Sequence, residues 1–177
     1  MSVIMSNFLK FNKVMGVKLI NTLASQLKTG LTVAEFSGGI KEYQSSMSSI
    51  PQFTFIGQYT YQNRGIVCAI DPKIILLSAQ RSFGGDSTTP TIKSNTFSFS
   101  ENFVGKMILN IIEEYFNTKD CPLTLNRIES SKDRSHLFFS DEQVAFIEMN
   151  CLNNGDEIGK ISLIYPITFV KQEKEKW

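Results

Sequence analysis

The sequence predicts an α/β domain in which two long helices share one face of a continuous sheet. Three observations carry that expectation. Apolar residues recur every three or four positions over two long stretches, Asn7 to Gly30 and Ser98 to Asn117. Between and after them lie short strand-like runs, two pairs of which are joined by the tight polar turns Gln62-Asn63 and Asn153-Asn154-Gly155-Asp156. The halves also repeat weakly: each runs long helix, strand, hairpin, and only the first clearly adds a closing helix, an order that implies pseudo-symmetry.

The first helix places Phe8, Phe11, Met15, Leu19, Leu23 and Leu27 on one face and stops at Thr29-Gly30. Its polar face carries Lys10, Lys13, Lys18 and Lys28 and no acidic residue. Leu31 to Phe36 alternates and reads as a half-buried strand, broken by Gly38-Gly39, with a short irregular helix over Ile40–Ser49. Strands are expected over Gln52–Thr60 and Arg64–Ile70.

The run Ile66-Val-Cys-Ala-Ile70 has the length and β-branched content of a strand buried on both faces. Asp71-Pro72 follows, a residue able to cap a helix and one suited to its first turn. From there Ile75, Leu76, Ala79 and Phe83 predict a short helix with one apolar stripe, ending in Gly84-Gly85. Asp86 to Thr96, rich in Ser, Thr and Pro, reads as a mobile loop.

The second half opens on Ser98-Phe-Ser-Glu101, the form of a capping box, and Phe103, Met107, Ile111, Ile112 and Tyr115 are expected to mark the buried face up to Asn117. Strands follow near Leu123–Glu129, Val144–Leu152 and Lys160–Tyr165. The charged segment Lys171–Trp177 gives no reason to expect order. One domain is therefore expected over 1–170, with 171–177 a charged tail or linker.

Composition narrows the function classes. A chain of 177 residues with 42% hydrophobic content can bury roughly 70% of its extended surface in one core. Eighteen basic against seventeen acidic residues leave no electrostatic reason to expect nucleic acid or an anionic membrane as partner. No run approaches about 20 apolar residues, so no direct membrane insertion is expected. Cys68, Cys121 and Cys151 are odd in number and widely spaced, which argues for a reducing, cytoplasmic compartment rather than a disulfide framework. His136 is the single histidine and has no Cys or His neighbour at ligand spacing; the acidic pairs Asp141-Glu142 and Asp156-Glu157 lack the spacing of a calcium loop. No catalytic residue, metal site or cofactor is expected.

Several of these stretches, in order, resemble the middle, CheC-like domain of the flagellar motor switch protein FliM. They are LINTLASQLKTGLTV, the Ile50-Pro51 segment before the first hairpin, IVCAIDPKIILLSAQRSFGGD, FSFSENFV and the closing GKISLIYPI. The resemblance covers residues 8–170. It implies a CheC-like fold: two long helices on a mixed, mostly antiparallel sheet with internal pseudo-two-fold symmetry. It also implies a place in the cytoplasmic C-ring, at the cytoplasmic face of the flagellar basal body, with the FliG middle domain as partner and self-association in a ring. In a full-length member, FliN and phospho-CheY join that set. The family's GGxG loop contacts FliG; here it reads Gly84-Gly85-Asp86-Ser87, with Ser87 in place of the last glycine. Members carry a CheY-binding peptide before this unit and a FliN-like domain after it. A piece of a longer chain and a stand-alone relative thus both remain open.

Two readings of the glycine pair stand side by side. Gly after a helix is commonly only its C-terminal cap. The match to the family's contact loop favours binding, with Arg81, Phe83, Gly84, Gly85, Asp86 and Ser87 as the partner-binding set. The rival function is enzymatic, because the related CheC and CheX are phosphatases of phospho-CheY, recognised by an acidic residue three before an Asn on each long helix. The first helix offers Asn21 without an acidic partner; the second offers Glu114 and Asn117, but at its C-terminal end. A non-enzymatic switch component is the expected function, and a CheC-like phosphatase or a secretion-apparatus scaffold is the alternative.

Overall fold

The computed structural model describes residues 2–85 and 90–177. The long helix α1 (Ser2–Leu27) is followed by strand β1 (Leu31–Glu42), a short helix α2 (Tyr43–Ser48), the hairpin β2 (Phe53–Tyr61) and β3 (Arg64–Ile70), and helix α3 (Pro72–Ser82). The second half repeats the plan with α4 (Phe99–Asn117), β4 (Thr124–Ser131), the hairpin β5 (Gln143–Asn153) and β6 (Asp156–Pro166), and a closing helix α5 (Ile167–Gln172).

Six strands form one sheet in the order β1-β5-β6-β3-β2-β4. A pseudo-two-fold axis between β3 and β6 exchanges the halves, and each half's first strand crosses to the other half's hairpin: β1 pairs with β5, and β4 with β2. Every neighbouring pair is antiparallel, so the sheet is antiparallel throughout rather than mixed. The geometry requires this at the centre, because a two-fold axis perpendicular to the sheet reverses strand direction across it. Both hairpin turns form where expected. Gln62 (φ 45°) and Asn63 (φ 65°) make one, Asn154 (φ 52°) and Gly155 (φ 91°) the other, the left-handed pairs that match strand twist.

Strand residues alternate between two cores. Ile66, Cys68 and Ile70 of β3 face the main core beneath α1, α3, α4 and α5, whereas Val67 and Ala69 face a smaller cluster with Tyr43, Ile50, Val144, Phe146 and Ile164. That second cluster lies under α2 and the Phe138 segment, which is why β3 reads as apolar on both faces. On the main side, buried Asn12 is satisfied at both ends: Nδ2 donates to Phe8 O (2.9 Å), and Tyr165 donates to Oδ1 (2.8 Å).

Several expectations are corrected. Helix α1 begins at Ser2 rather than Asn7 and ends at Leu27, with Lys28 (φ 52°) rather than Gly30 taking the left-handed cap position. Strand β1 runs through Gly38-Gly39 to Glu42, because both glycines pair with β5, opposite Ile147 and Phe146. Helix α2 is correspondingly shorter than Ile40–Ser49. The buried stripe of α3 is Ile74, Ile75, Leu77, Ser78 and Ala79, which leaves Phe83 outside. In α4 the stripe is Val104, Gly105, Ile108, Leu109, Ile112 and Phe116: Ile112 is buried as expected, and the rest lies one position on from Phe103, Met107, Ile111 and Tyr115. The segment read as a tail without order folds back instead. Trp177 packs on Phe8 and Phe11, with ring centroids 5.0 and 4.8 Å away, and its Nε1 donates to Val170 O (3.0 Å).

Candidate functional site

The loop after α3 is positioned from both ends of that helix. At its start the Asp71 carboxylate accepts from the Lys73 N–H (2.9 Å), and Pro72 occupies the first turn, as the sequence predicts. At its end the chain closes with two bonds. Gly85 N–H donates to Gln80 O (2.7 Å), and Gly84 N–H donates to Arg81 O (3.3 Å). These are the paired bonds of a Schellman cap, with Gly84 in the left-handed position (φ 85°). A Cβ on Gly85 would stand 3.0 Å from Gln80 O. The glycine pair is therefore a cap, and its cap geometry presents the neighbouring side chains outward.

Of the expected site residues, Arg81, Phe83, Gly84 and Gly85 come together along one groove of about 530 Å3. Asp86 and Ser87, with the rest of Asp86–Thr89 of the expected loop, lie outside the described residues. Arg81 is half-buried in the wall. Phe83 stands 66% exposed at the tip. The opposite wall is the first half of α4, through Phe103 and Met107, and Leu27 at the end of α1 closes the groove with Lys28 just beyond it.

Sequence reasoning missed Phe99 and Phe103, which stand 89% and 59% exposed, one turn apart on α4. Their orientation follows from the capping box. Ser98 Oγ accepts from the Glu101 N–H (3.3 Å), and Glu101 Oε2 accepts from the Ser98 N–H (2.7 Å), which fixes the start of the helix. With the start fixed, Val104 and Ile108 turn inward and Phe99 and Phe103 outward. The signal that could have found this is Gly105, whose missing side chain lets the Phe55 ring press against the helix backbone. Phe83 and Phe103 thus stand exposed along the groove beside the glycine turn, and Phe99 is exposed one turn before Phe103.

The other candidates stay apart from this groove. Glu114 and Asn117 are exposed on the last turn of α4, and Asn21 is exposed on α1 with no acidic residue on that helix. His136 is exposed beside α2. Burial pushes the Cys121 thiol up to about 11 and the Cys151 thiol to about 12, so neither supplies a thiolate nucleophile near neutral pH. Among the described residues, no three His, Cys, Asp or Glu side chains are grouped to hold a metal, and no helix is long and apolar enough to cross a membrane.

No family model matches the chain, and no curated protein matches it. Solved structures do. The FliM middle domain from H. pylori superposes with a TM-score of 0.79 at 18% identity, over 100% of this chain and 99% of that one. A chain of the FliG–FliM complex from H. pylori gives 0.78 at 18% identity, over 94% of each chain. The FliM middle domain from Vibrio alginolyticus gives 0.71 at 10% identity, over 91% of this chain and 94% of that one. From end to end, then, the chain has the fold of a FliM middle domain, the CheC-like fold.

Proposed function

We propose that this domain is a non-enzymatic adaptor of the flagellar motor switch that binds the FliG middle domain through the groove at Phe83, Gly84 and Gly85. The observation that carries the reading is the exposed Phe83 tip facing exposed Phe103 across a groove, on a fold shared with a chain of a FliG–FliM complex. Aromatic side chains held by a rigid cap anchor an interface at small entropic cost, because little is left to immobilise on binding. Asp86 and Ser87 continue the loop in sequence and complete the contact. The exposed flank of α1 with its adjacent hairpin serves contacts between neighbouring copies in a ring, at the cytoplasmic face of the basal body. Contacts of that kind are individually weak and gain strength by repetition. In a full-length FliM, FliN and phospho-CheY would join these partners.

Calorimetry with the FliG middle domain tests the reading. Phe83→Ser and Phe103→Ser are each expected to weaken binding at least about tenfold, the scale of a lost aromatic anchor, with far-UV circular dichroism unchanged. Unaltered affinity in both variants would reduce the loop to a helix cap. Accelerated decay of phospho-CheY by this protein, abolished in Glu114→Gln, would instead establish the phosphatase alternative.

A further inference from the structure

The pseudo-two-fold that exchanges the halves also duplicates the groove. The first lies between the end of α1, the end of α3 and the start of α4. Exchanging α1 with α4 and α3 with α5 leads to the end of α4, the segment after α5 and the stretch of α1 from Asn7 to Lys18. A second groove of about 360 Å3 sits there.

Its chemistry differs from that of the first. The floor is aromatic: Phe11 packs 5.9 Å from Tyr115 and 4.8 Å from Trp177, centroid to centroid. Val14, 52% exposed, rises beside it. The rim is basic, made of Lys10, Lys18 and Lys119, and no lining residue is acidic. Lys119 Nζ stands 6.0 Å above the Tyr115 ring. Among the described residues, none of these three ammoniums has a carboxylate within 4.0 Å, whereas Lys160 elsewhere pairs with Glu148 at 2.7 Å. Helix α1 contributes no Asp or Glu over its 26 residues. The chain as a whole is nearly neutral at +1, so the imbalance is local.

A single exposed lysine is an ordinary solvated side chain. Three long, unpaired lysines around an apolar floor form a more specific arrangement. The floor supplies contact area, and the charges select the sign of what settles on it.

We propose that this groove is a second docking site, and that its occupant is an acidic peptide segment. One apolar side chain of the segment would rest on Phe11, Val14 and Trp177, and its carboxylates would pair with Lys10, Lys18 and Lys119. The floor and the rim of this groove stand independently of the FliG reading.

Trp177 is the sequence's single tryptophan and lies in the floor, so its emission reports this groove alone. The experiment pans a random peptide library on the full chain. The peptide enriched most is then titrated against the wild type, Lys10→Glu/Lys18→Glu and Phe83→Ser, following Trp177 fluorescence at low and raised salt. The expected peptides are rich in Asp and Glu around a Leu, Ile or Phe. They shift Trp177 emission and weaken as salt screens the charges. They lose at least about tenfold in affinity for the lysine variant and none for Phe83→Ser, a variant that disables only the first groove. Enrichment no more acidic than the library overturns the proposal. So does binding that leaves Trp177 emission unmoved, equal affinity for the lysine variant, or tighter binding of phosphatidylserine vesicles than of any selected peptide.

Discussion

Asp71 does two jobs at the junction of β3 and α3, and they pull its carboxyl in opposite directions. It caps α3 through the Lys73 N–H, and it packs against Gly159, where any Cβ would collide with its carboxyl and where φ is 141°. Burial raises its pKa above the ordinary carboxylate range, against the Lys73 hydrogen bond and the charges of Lys73 and Lys160. A raised folded pKa means that the folded chain holds this proton more tightly than the unfolded one. Its contribution is therefore fully present below the ordinary carboxylate value and is lost as pH rises through the folded pKa. Asp71→Asn keeps a capping side chain and removes the charge. Urea denaturation over a pH series is expected to show that this variant loses the pH-dependent part without losing stability at neutral pH. Asp71→Ala loses the titrating group and the cap together, so it is expected to lie about 1 kcal/mol below Asp71→Asn at every pH. The cap itself was legible in the sequence, because Asp before Pro is a local signal; the cost of burying it was not, because Gly159 lies 88 residues away in sequence.

Helix α4 shows where a local pattern runs out. Two stripes of equal period lie side by side along it, Phe103-Met107-Ile111-Tyr115 and Val104-Ile108-Ile112-Phe116, and periodicity cannot choose between them. The sheet chooses. The Tyr59 hydroxyl donates to Leu109 O (2.7 Å), and the Phe55 ring fills the space over Gly105. Two substitutions separate the alternatives by chemical denaturation. Gly105→Ala, which pushes a methyl into the Phe55 ring, is expected to cost about 1–3 kcal/mol by overpacking. Phe103→Ser is expected to cost under about 1 kcal/mol, where a core phenylalanine would cost about 3–5. The reverse ranking would return Phe103 to the core and remove one wall of the docking groove.

At the scale of the molecule, the crossing of first strands decides how the halves depend on each other. Strand β1 completes the second half's hairpin over eleven residue pairs, and β4 completes the first half's, so neither half owns a closed three-stranded unit. Cutting the chain between α3 and α4 is therefore expected to give two fragments that each lack a cooperative unfolding transition. Mixing them is expected to restore the sheet signal in circular dichroism and a single melt. A cooperative melt from either fragment alone would show that a half folds without its exchanged strand. The same exchange produces two grooves from one plan, one armed with phenylalanines and the other with lysines.

The sequence by itself determined the two long helices, α3 and the strands, though not the closing helix α5, together with both hairpin turns, the cap of α3, the capping box of α4 and the repeat that gives the sheet its symmetry. All of these are set by residues within a few positions of one another, where backbone preference and periodicity act. Tertiary structure alone decided which face of α4 is buried, that β1 continues through Gly38-Gly39, that the sheet is antiparallel throughout and that Trp177 docks on α1. Each of those depends on a partner far along the chain, and the hydrophobic burial that fixes it carries no local signature.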